Sequence, residues 1–316
     1  MSAPILFIVL PSYNEEAVLP SSIGHLTKLY GQLISDKVIS ESSRLLFVND
    51  GSADRTWEII ESASRDNPFV CGVKLAKNVG HQNAILAGME TAKDYADVVI
   101  TMDADLQDDI AKIPEMLEKF ANGADIVYGV KNERKADSFF KRMTAQLFYK
   151  LMNSLGVHTV YNHADFRLMS RRAINALAGY QERNLFLRGI IPQLGYKTDL
   201  VYENLREREA GVSKYTLSKM MNLAIDGMTS FSSRPVRLVI VLGVIFILIA
   251  LGILIYVFSS LLKGNTVAGW ASLMLSVWFI GGCILICLGI VGEYVGKIYV
   301  EVKGRPRYNI EERIIK

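Results

Sequence analysis

The chain has 316 residues, enough for one or two domains with a sizeable buried core. Half of the residues are hydrophobic and 21% are charged, a composition that excludes a disordered chain, a collagen-like repeat and a coiled coil. The 35 basic and 32 acidic residues leave a net charge of +3, which is too small for a dedicated nucleic-acid binder. The three scattered cysteines, Cys71, Cys283 and Cys287, exclude a disulfide framework and a zinc site, so we expect a reducing compartment.

Short apolar runs alternate with helix-like stretches over residues 1–210. The first run, residues 5–10, has no basic residue before it and stops at Pro11, so it predicts a buried strand and not a cleaved signal peptide. Later apolar runs lie at residues 45–49, 70–75, 98–102 and 126–130, and helix-like stretches lie at residues 54–65, 82–93 and 111–122. The alternation predicts a cytosolic α/β domain whose mostly parallel sheet carries helices on both faces.

Polar residues follow the first, second and fourth predicted strands, where sheets of this kind bind their ligands. Residues 11–16 read PSYNEE, residues 48–54 read VNDGSAD, and residues 101–108 read TMDADLQD. Taken alone, the second segment is a common turn, in which Ser52 or Asp54 is as readily a helix cap as a ligand.

The acidic segment after the fourth strand predicts a metal site. If it is extended, Asp103, Asp105 and Gln107 project to one side and present two carboxylates and an amide oxygen together. Hard oxygen donors suit Mg²⁺ or Mn²⁺, which would in turn hold a diphosphate. The spacing is wrong for an EF-hand, whose sixth and twelfth positions would be Asp108 and Pro114. A solvated acidic turn is the alternative interpretation.

Other nucleotide-binding patterns do not follow the predicted strands. The sequence has no G-x-x-x-x-G-K-[ST] phosphate loop and no G-x-G-x-x-G after a strand, which weighs against an ATPase or a dehydrogenase. Residues 77–88, KNVGHQNAILAG, are punctuated by glycine at a different spacing. A lone histidine at a helix start is usually structural, so His81 is not predicted to be a site residue.

Two long uncharged runs, residues 238–258 and 268–292, predict a transmembrane hairpin. Each exceeds 20 residues, which at about 1.5 Å per residue crosses a hydrocarbon core of about 30 Å. The loop at residues 259–267 carries one cation, whereas Arg234, Arg237, Lys297, Lys303, Arg305 and Arg307 flank the hairpin outside it. The positive-inside rule therefore predicts a multi-pass protein of the cytoplasmic membrane with both hairpin ends, including residues 293–316, in the cytosol.

Residues 211–234 join the domain to the first span and predict an amphipathic helix. Apolar residues recur there at spacings of three and four, with polar residues opposite. Because the helix directly precedes a span, we expect it to lie in the membrane interface and to bring the active site to the lipid headgroups. Packing in an ordinary core is the alternative.

The polar segments, together with DFRLMSRR at residues 165–172 and G-x-S-K at residues 211–214, resemble family 2 glycosyltransferases that charge a polyprenyl phosphate. The chain is similar to bactoprenol (undecaprenyl-phosphate) glucosyltransferases and to dolichol-phosphate mannose synthases. The resemblance implies a glycosyltransferase A-type domain, a divalent metal, and inverting transfer of a sugar from a nucleoside diphosphate to a lipid phosphate. It favours UDP-glucose as donor and leaves UDP-N-acetylglucosamine, UDP-galactose and GDP-mannose open.

The resemblance also assigns roles to residues of the first half of the domain. Pro11, Tyr13 and Glu15 match the nucleotide-binding first loop, and Asp50 matches the carboxylate that meets the base, where a uracil imide N–H needs an acceptor. Asp103 would face the ribose or the metal. The residues matched to metal ligands are Asp105 and Gln107.

Later residues match the catalytic and phosphate-binding positions. Asp165 matches the residue regarded as catalytic, and if its segment is extended Arg167 lies on the same face, where Asp165 would orient it. Arg208 and Lys214 match positions that meet the donor diphosphate or the acceptor phosphate. Arg142 follows a predicted helix start at Ser138 that would turn it toward the site.

Two other functions stay open at this point, a processive polysaccharide synthase and a catalytically inactive, membrane-tethered nucleotide-sugar binding module. A synthase that secretes a polymer usually needs more than two spans. Expected partners are the nucleotide sugar, the polyprenyl phosphate, membrane lipid and a separate flippase, but no nucleic acid. Glycines at positions 281, 282 and 289 permit close helix contacts, so we also expect a homo-oligomer.

Overall fold

A computed structural model describes residues 3–131, 163–183, 186–203 and 269–316, and single positions between 239 and 262. The described strands form one eight-stranded sheet in the order β7-β5-β6-β4-β1-β2-β3-β8. The strands are β1 Leu6–Ser12, β2 Arg44–Asn49, β3 Val70–Leu75, β4 Val98–Thr101, β5 Ile126–Lys131, β6 His163–Ser170, β7 Thr198–Glu203 and β8 Ile310–Ile314.

The five apolar runs of the domain form β1 to β5, so the predicted α/β domain is confirmed. Strands β1, β2, β3 and β4 pair in parallel, as do β5 and β7. Strand β6 lies antiparallel between β4 and β5, and β8 is antiparallel to β3, so the sheet is mixed. The strands read as continuous apolar runs because helices bury both faces of the sheet.

Seven described helices accompany the sheet. They are α1 Leu19–Ser35, α2 Thr56–Asp66, α3 His81–Ala92, α4 Ile113–Ala121, α5 Arg171–Ala178, α6 Leu187–Gln193 and α7 Trp270–Lys303. Helix α3 packs so closely against the sheet that a Cβ atom at Gly88 would overlap the side chains of Val9 and Val48. This packing brings the first residue of α3, His81, to the edge where β1, β2 and β4 end.

The second predicted span forms part of helix α7. The stretch Phe279–Lys303 is long and apolar enough to cross a membrane, with a mean hydropathy of 1.9 and no buried residues in its most apolar window. The helix ends at Gly304, whose left-handed backbone (φ 56°) caps it. Helix α7 therefore continues past residue 292, where the predicted span ends, because the charged residues that follow are compatible with a helix.

Only single positions of the first predicted span are described, and they are helical. One of them, Phe246, places its ring edge-on against Phe279 of α7, with 5.9 Å between the ring centroids. The two-span hairpin stays a prediction. The predicted interfacial helix at residues 211–234 lies outside the described residues.

The segment that follows α7 returns to the sheet of the N-terminal domain. Strand β8 pairs with β3, and the Ala76 N–H donates to the Asn309 carbonyl at 2.9 Å. The Tyr308 hydroxyl donates to Glu90 of α3, and the Arg183 N–H donates to Glu301 of α7 at 2.6 Å. The C-terminal end of the apolar helix is therefore fixed against the α/β domain.

Candidate active site

The loops that follow β1 and β2 bind each other at the carboxyl edge of the sheet. The Asn14 N–H donates to Ser52 Oγ at 3.0 Å, and the Ala53 N–H donates back to Asn14 Oδ1 at 2.9 Å. Asp54 accepts the Thr56 N–H at 3.0 Å in the turn before α2, whose N-cap residue is Arg55. Of the three residues predicted to belong to the nucleotide-binding first loop, Pro11 is buried, Glu15 is half-buried, and Tyr13 is exposed.

Asp50 lies under the start of α3. Its two carboxylate oxygens accept the N–H groups of Val79 and Gly80 at 2.7 and 3.0 Å, and the residue is only 3% exposed. Burial raises the pKa of this carboxyl, and the two N–H groups partly offset the effect. Asp50 therefore fixes the turn before α3, and its contact with a nucleobase stays a prediction.

The segment after β4 is a turn, so the prediction that it is extended is wrong. Leu106 has a left-handed backbone (φ 54°), and the Gln107 N–H donates to Asp105 Oδ1 at 3.2 Å. The Asp103 N–H donates to Asp108 Oδ2 at 3.3 Å, which closes the turn on a buried carboxylate. Local hydrogen bonds from backbone N–H groups to aspartate side chains favour a turn over an extended conformation here.

The same turn still brings carboxylates together. Burial raises the pKa of Asp103, the charge of His81 lowers it, and the charges of Asp165 and Asp105 raise it further. Within the described ranges, no group of three His, Cys, Asp or Glu side chains is arranged as a metal site. The charges of Asp103 and Asp105 nevertheless act on each other in this turn, and carboxylate oxygens suit a hard divalent cation, so a metal held by Asp103, Asp105 and Gln107 stays a prediction.

Two further acids lie behind this turn. Asp108 and Glu203 are both buried, and Glu203 accepts the Asp109 N–H at 3.0 Å. Burial, the charge of Asp103 and the charge of Glu203 raise the pKa of Asp108 to about 8, although Lys131 Nζ lies 3.8 Å from its carboxylate. Burial and the acidic neighbours therefore favour the protonated form of Asp108, although a cation lies beside it.

Asp165 lies on β6, and the predicted extended conformation of this segment is confirmed. Its carboxylate contacts three basic side chains. Arg167 Nη2 donates to Oδ1 at 2.5 Å, Arg188 Nη2 donates to Oδ2 at 3.1 Å, and His81 Nε2 lies 3.3 Å from Oδ2. The same His81 nitrogen lies 3.5 Å from Asp103 Oδ1, so the ring links the ends of β4 and β6.

These partners determine the charge of Asp165. Burial opposes ionisation, but the charge of Arg188, the hydrogen bond with His81 and the charge of Arg167 hold the pKa of this carboxyl well below its usual range. Burial also lowers the pKa of His81, but the hydrogen bond with Asp165 and the charges of Asp103 and Asp165 outweigh it and raise that pKa. Asp165 is therefore ionised at neutral pH and is a weak base.

Comparisons with known proteins agree with this geometry. Residues 7–178 match the model of glycosyl transferase family 2. The chain belongs to this family. It is 50% identical to the uncharacterized glycosyltransferase YkoT of Bacillus subtilis (strain 168) over 98% of this chain and 92% of that protein. It is 38% identical to the bactoprenol glucosyl transferase of Shigella phage SfII, over 96% of this chain and 97% of that protein.

The family 2 chain also has structural neighbours at low identity. The mannosyltransferase PcManGT from Pyrobaculum calidifontis, in complex with GDP-Man and Mn²⁺, is 16% identical, with a TM-score of 0.49 over 74% of this chain and 65% of that one. The glucosyl-3-phosphoglycerate synthase of Mycobacterium tuberculosis is 15% identical, with a TM-score of 0.46 over 72% and 80% of the two chains.

The structure of this glycosyltransferase brings together some predicted site residues and adds others. Asp103, Asp165 and Arg167 lie in one cluster, in which the fully buried Arg167 pairs with Asp165. The catalytic roles of Asp165 and Arg167 stay predictions. His81 and Arg188 complete the cluster, although neither was predicted from the sequence. The predicted phosphate-binding residues Arg142, Arg208 and Lys214 lie outside the described residues.

Proposed function

We propose that this family 2 glycosyltransferase transfers one sugar from a nucleoside diphosphate to undecaprenyl phosphate at the cytosolic face of the cytoplasmic membrane, with inversion at the anomeric carbon. Relatives named bactoprenol glucosyl transferase, similar over nearly the full chain, support the lipid acceptor and favour glucose, with UDP-glucose as donor. A separate flippase and a homo-oligomer stay predictions.

The observation that carries the proposal is the set of three basic side chains, Arg167, Arg188 and His81, that contact the Asp165 carboxylate. A sugar hydroxyl has to lose its proton to attack an anomeric carbon, so an alcohol acceptor needs a general base with a suitable pKa. Two arginines and His81 hold the pKa of Asp165 too low for that task. A phosphate monoester, with a second pKa of about 6, is already largely deprotonated at neutral pH and needs no base. The cluster therefore suits a lipid phosphate better than a hydroxyl.

The residues of the cluster then have separate tasks. An acceptor oxygen attacks the anomeric carbon as the bond to the diphosphate oxygen breaks on the opposite side, which inverts the configuration. Asp165 orients a sugar hydroxyl or a neighbouring guanidinium and so holds the reactants in line. A Mg²⁺ or Mn²⁺ ion bound by Asp103, Asp105 and Gln107 would neutralise the charge of the leaving diphosphate.

The position of β8 supports the predicted topology. The chain leaves the sheet after β7 and re-enters it at β8, so both connections lie on the same side of the membrane. If α7 crosses the bilayer once, the chain has to cross a second time before residue 270. The apolar run at residues 238–258, whose Phe246 contacts α7, is the segment that provides this crossing.

Cysteine labelling tests this topology. In a variant without the three native cysteines, a cysteine at Asn265 is expected to react with an impermeant reagent added to intact cells. A cysteine at the exposed Glu312 of β8 is expected to react only after the cells are permeabilised. The reverse pattern would contradict the cytosolic assignment.

Transfer itself is tested with the full chain in detergent, undecaprenyl phosphate and a panel of nucleotide sugars. We expect one sugar per lipid and a clear preference for one donor. A product that carries a growing chain of sugars would support the processive synthase. Transfer to a sugar hydroxyl but not to the lipid phosphate would contradict the proposed acceptor.

A further inference from the structure

The His81 ring is fixed in place by groups other than a substrate. It is the first residue of α3, and the two residues before it, Val79 and Gly80, give both of their N–H groups to Asp50. Gly80 has a positive φ of 88°, a conformation that glycine adopts without strain. The backbone that carries the ring is thus set by a buried carboxylate on β2 and by the packing of α3.

One nitrogen of this ring faces two carboxylates. His81 Nε2 lies 3.3 Å from Asp165 Oδ2 and 3.5 Å from Asp103 Oδ1. Since both neighbours accept hydrogen bonds, Nε2 carries the proton, whichever form the other nitrogen takes. Among the residues that the structure describes, His81 is the only basic side chain in ion-pairing contact with Asp103.

The two carboxylates come from different parts of the site. Asp103 follows β4, in the turn expected to meet the donor, whereas Asp165 lies on β6, which pairs antiparallel with β4. Like charges repel, and His81 Nε2, which lies within 3.5 Å of both carboxylates, is placed to offset that repulsion. A displacement of about 1 Å at a reacting centre can cost about 100-fold in rate.

We propose that His81 is a positioning residue that holds the Asp103 and Asp165 carboxylates at one fixed separation through the single N–H on Nε2. This role rests on the proposed sugar transfer, in which Asp103 belongs to the donor side and Asp165 to the reacting centre. His81 acts through the two carboxylates and does not contact the reacting atoms.

Substitution by two different amides separates this role from a general need for a polar residue. The side-chain nitrogen of His81→Gln reaches the place of Nε2, whereas the nitrogen of His81→Asn reaches only the place of Nδ1. We expect His81→Asn and His81→Ala to lower kcat about 100-fold and His81→Gln to lower it less than 10-fold. The donor KM is expected to change less than kcat.

The exposed His25 of α1, whose ring contacts only Ser21 among the described residues, supplies the matched control. His25→Asn and His25→Gln are expected to keep the wild-type rate. Equal rates for His81→Asn and His81→Gln, whether both high or both low, would contradict the positioning role.

Thermal unfolding gives a second readout that does not depend on activity. Asp103→Asn removes the repulsion with Asp165, which matters most when His81 is absent. We expect the change in melting temperature caused by Asp103→Asn to be about 2–4 °C more positive in the His81→Ala variant than in the wild-type protein. Equal changes in both backgrounds would contradict the inference. Failure of the wild type to glycosylate the lipid phosphate would count against the proposed function, but it would leave this comparison of melting temperatures valid.

Discussion

Asp165 and Asp108 are both buried carboxylates at the carboxyl edge of the sheet, and their electrostatic surroundings are opposite. Asp165 contacts Arg167, Arg188 and His81, which hold its pKa well below the usual range. For Asp108, burial and the charges of Asp103 and Glu203 outweigh the charge of Lys131 and raise the pKa to about 8. The pKa values of two buried carboxyls are therefore shifted in opposite directions, according to the charges of their neighbours.

The difference in pKa indicates different roles for the Asp165 side and the Asp108 side of the site. On the Asp165 side, every charge has a partner within the fold, so the carboxylate has a fixed position and a fixed charge. On the Asp108 side, Asp103 and Glu203 are acidic neighbours, and a cation near this group would reduce the repulsion between ionised members. We predict that the divalent metal binds on this side, through Asp103, Asp105 and Gln107.

Loss of the predicted metal site is expected to have the largest effect on sugar transfer. Asp105→Asn removes one anionic oxygen ligand and is expected to abolish sugar transfer while the melting temperature stays close to that of the wild type. Chelation of the wild-type enzyme should do the same, and added Mg²⁺ or Mn²⁺ should restore the rate. Full activity in excess chelator would contradict the metal prediction.

Changes at Asp165 are expected to come next. Asp165→Ala removes the positioning group and should lower kcat by about 100-fold or more. Asp165→Asn keeps an oxygen that can accept hydrogen bonds and should retain measurably more activity. Both rates are measured with undecaprenyl phosphate, beside the donor dissociation constant from calorimetry. Equal inactivity of the two variants with unchanged donor binding would favour a general base.

Removing one cation from Asp165 is expected to have a smaller effect. Arg188→Ala should lower kcat by about tenfold, because the low end of the range for a hydrogen bond to a charged group, about 1.5 kcal/mol, corresponds to about that factor. Arg188→Lys keeps the charge but loses the paired geometry, so it should fall between wild type and alanine. Arg171, which pairs with Asp97 away from the cluster, is the control. A rate in Arg188→Ala equal to that in Arg171→Ala would contradict the role of Arg188.

A carboxylate outside the site tests the same principle through stability. The hydrogen bond from Arg172 lowers the pKa of Asp125, although burial opposes it. A carboxyl whose folded pKa is lowered contributes stability above its unfolded pKa of about 3.9 and loses it as the pH falls further. Asp125→Asn is therefore expected to cost about 1–3 kcal/mol at pH 7 and progressively less as the pH falls below about 3.9 through the lowered folded pKa. A cost that does not vary with pH would contradict this assignment.

Much of the fold could be predicted because β1 to β5 are short apolar runs separated by helices. Strand β8, Ile310–Ile314, could not, because its sequence IEERI is mostly charged and lies at the edge of the sheet. Strand β6 is predicted only as an extended segment around Asp165, because the buried Arg167 interrupts its hydrophobic pattern. Pairing with β3 and with β4 and β5 places these strands, and such long-range contacts leave no local signal.

The site was predictable where its members are close in the sequence. Asp165 and Arg167 share one face because strand side chains alternate, and the structure confirms their contact. His81 and Arg188 lie far from Asp165 along the chain and reach it only through the fold. For His81, the one available signal was its place at the start of a helix that follows a strand end, which sequence reasoning assigned to a structural role.

The pH dependence of the wild-type rate tests most directly whether Asp165 positions a phosphate acceptor. The account predicts that kcat/KM for undecaprenyl phosphate falls below neutral pH with a single apparent pKa of about 6, that of the acceptor phosphate. The same acid limb should remain in Asp165→Asn at a lower overall rate. A second ionisation in the wild-type profile that disappears in Asp165→Asn but persists in His81→Gln would show that the Asp165 carboxylate accepts a proton, and it would contradict the positioning role.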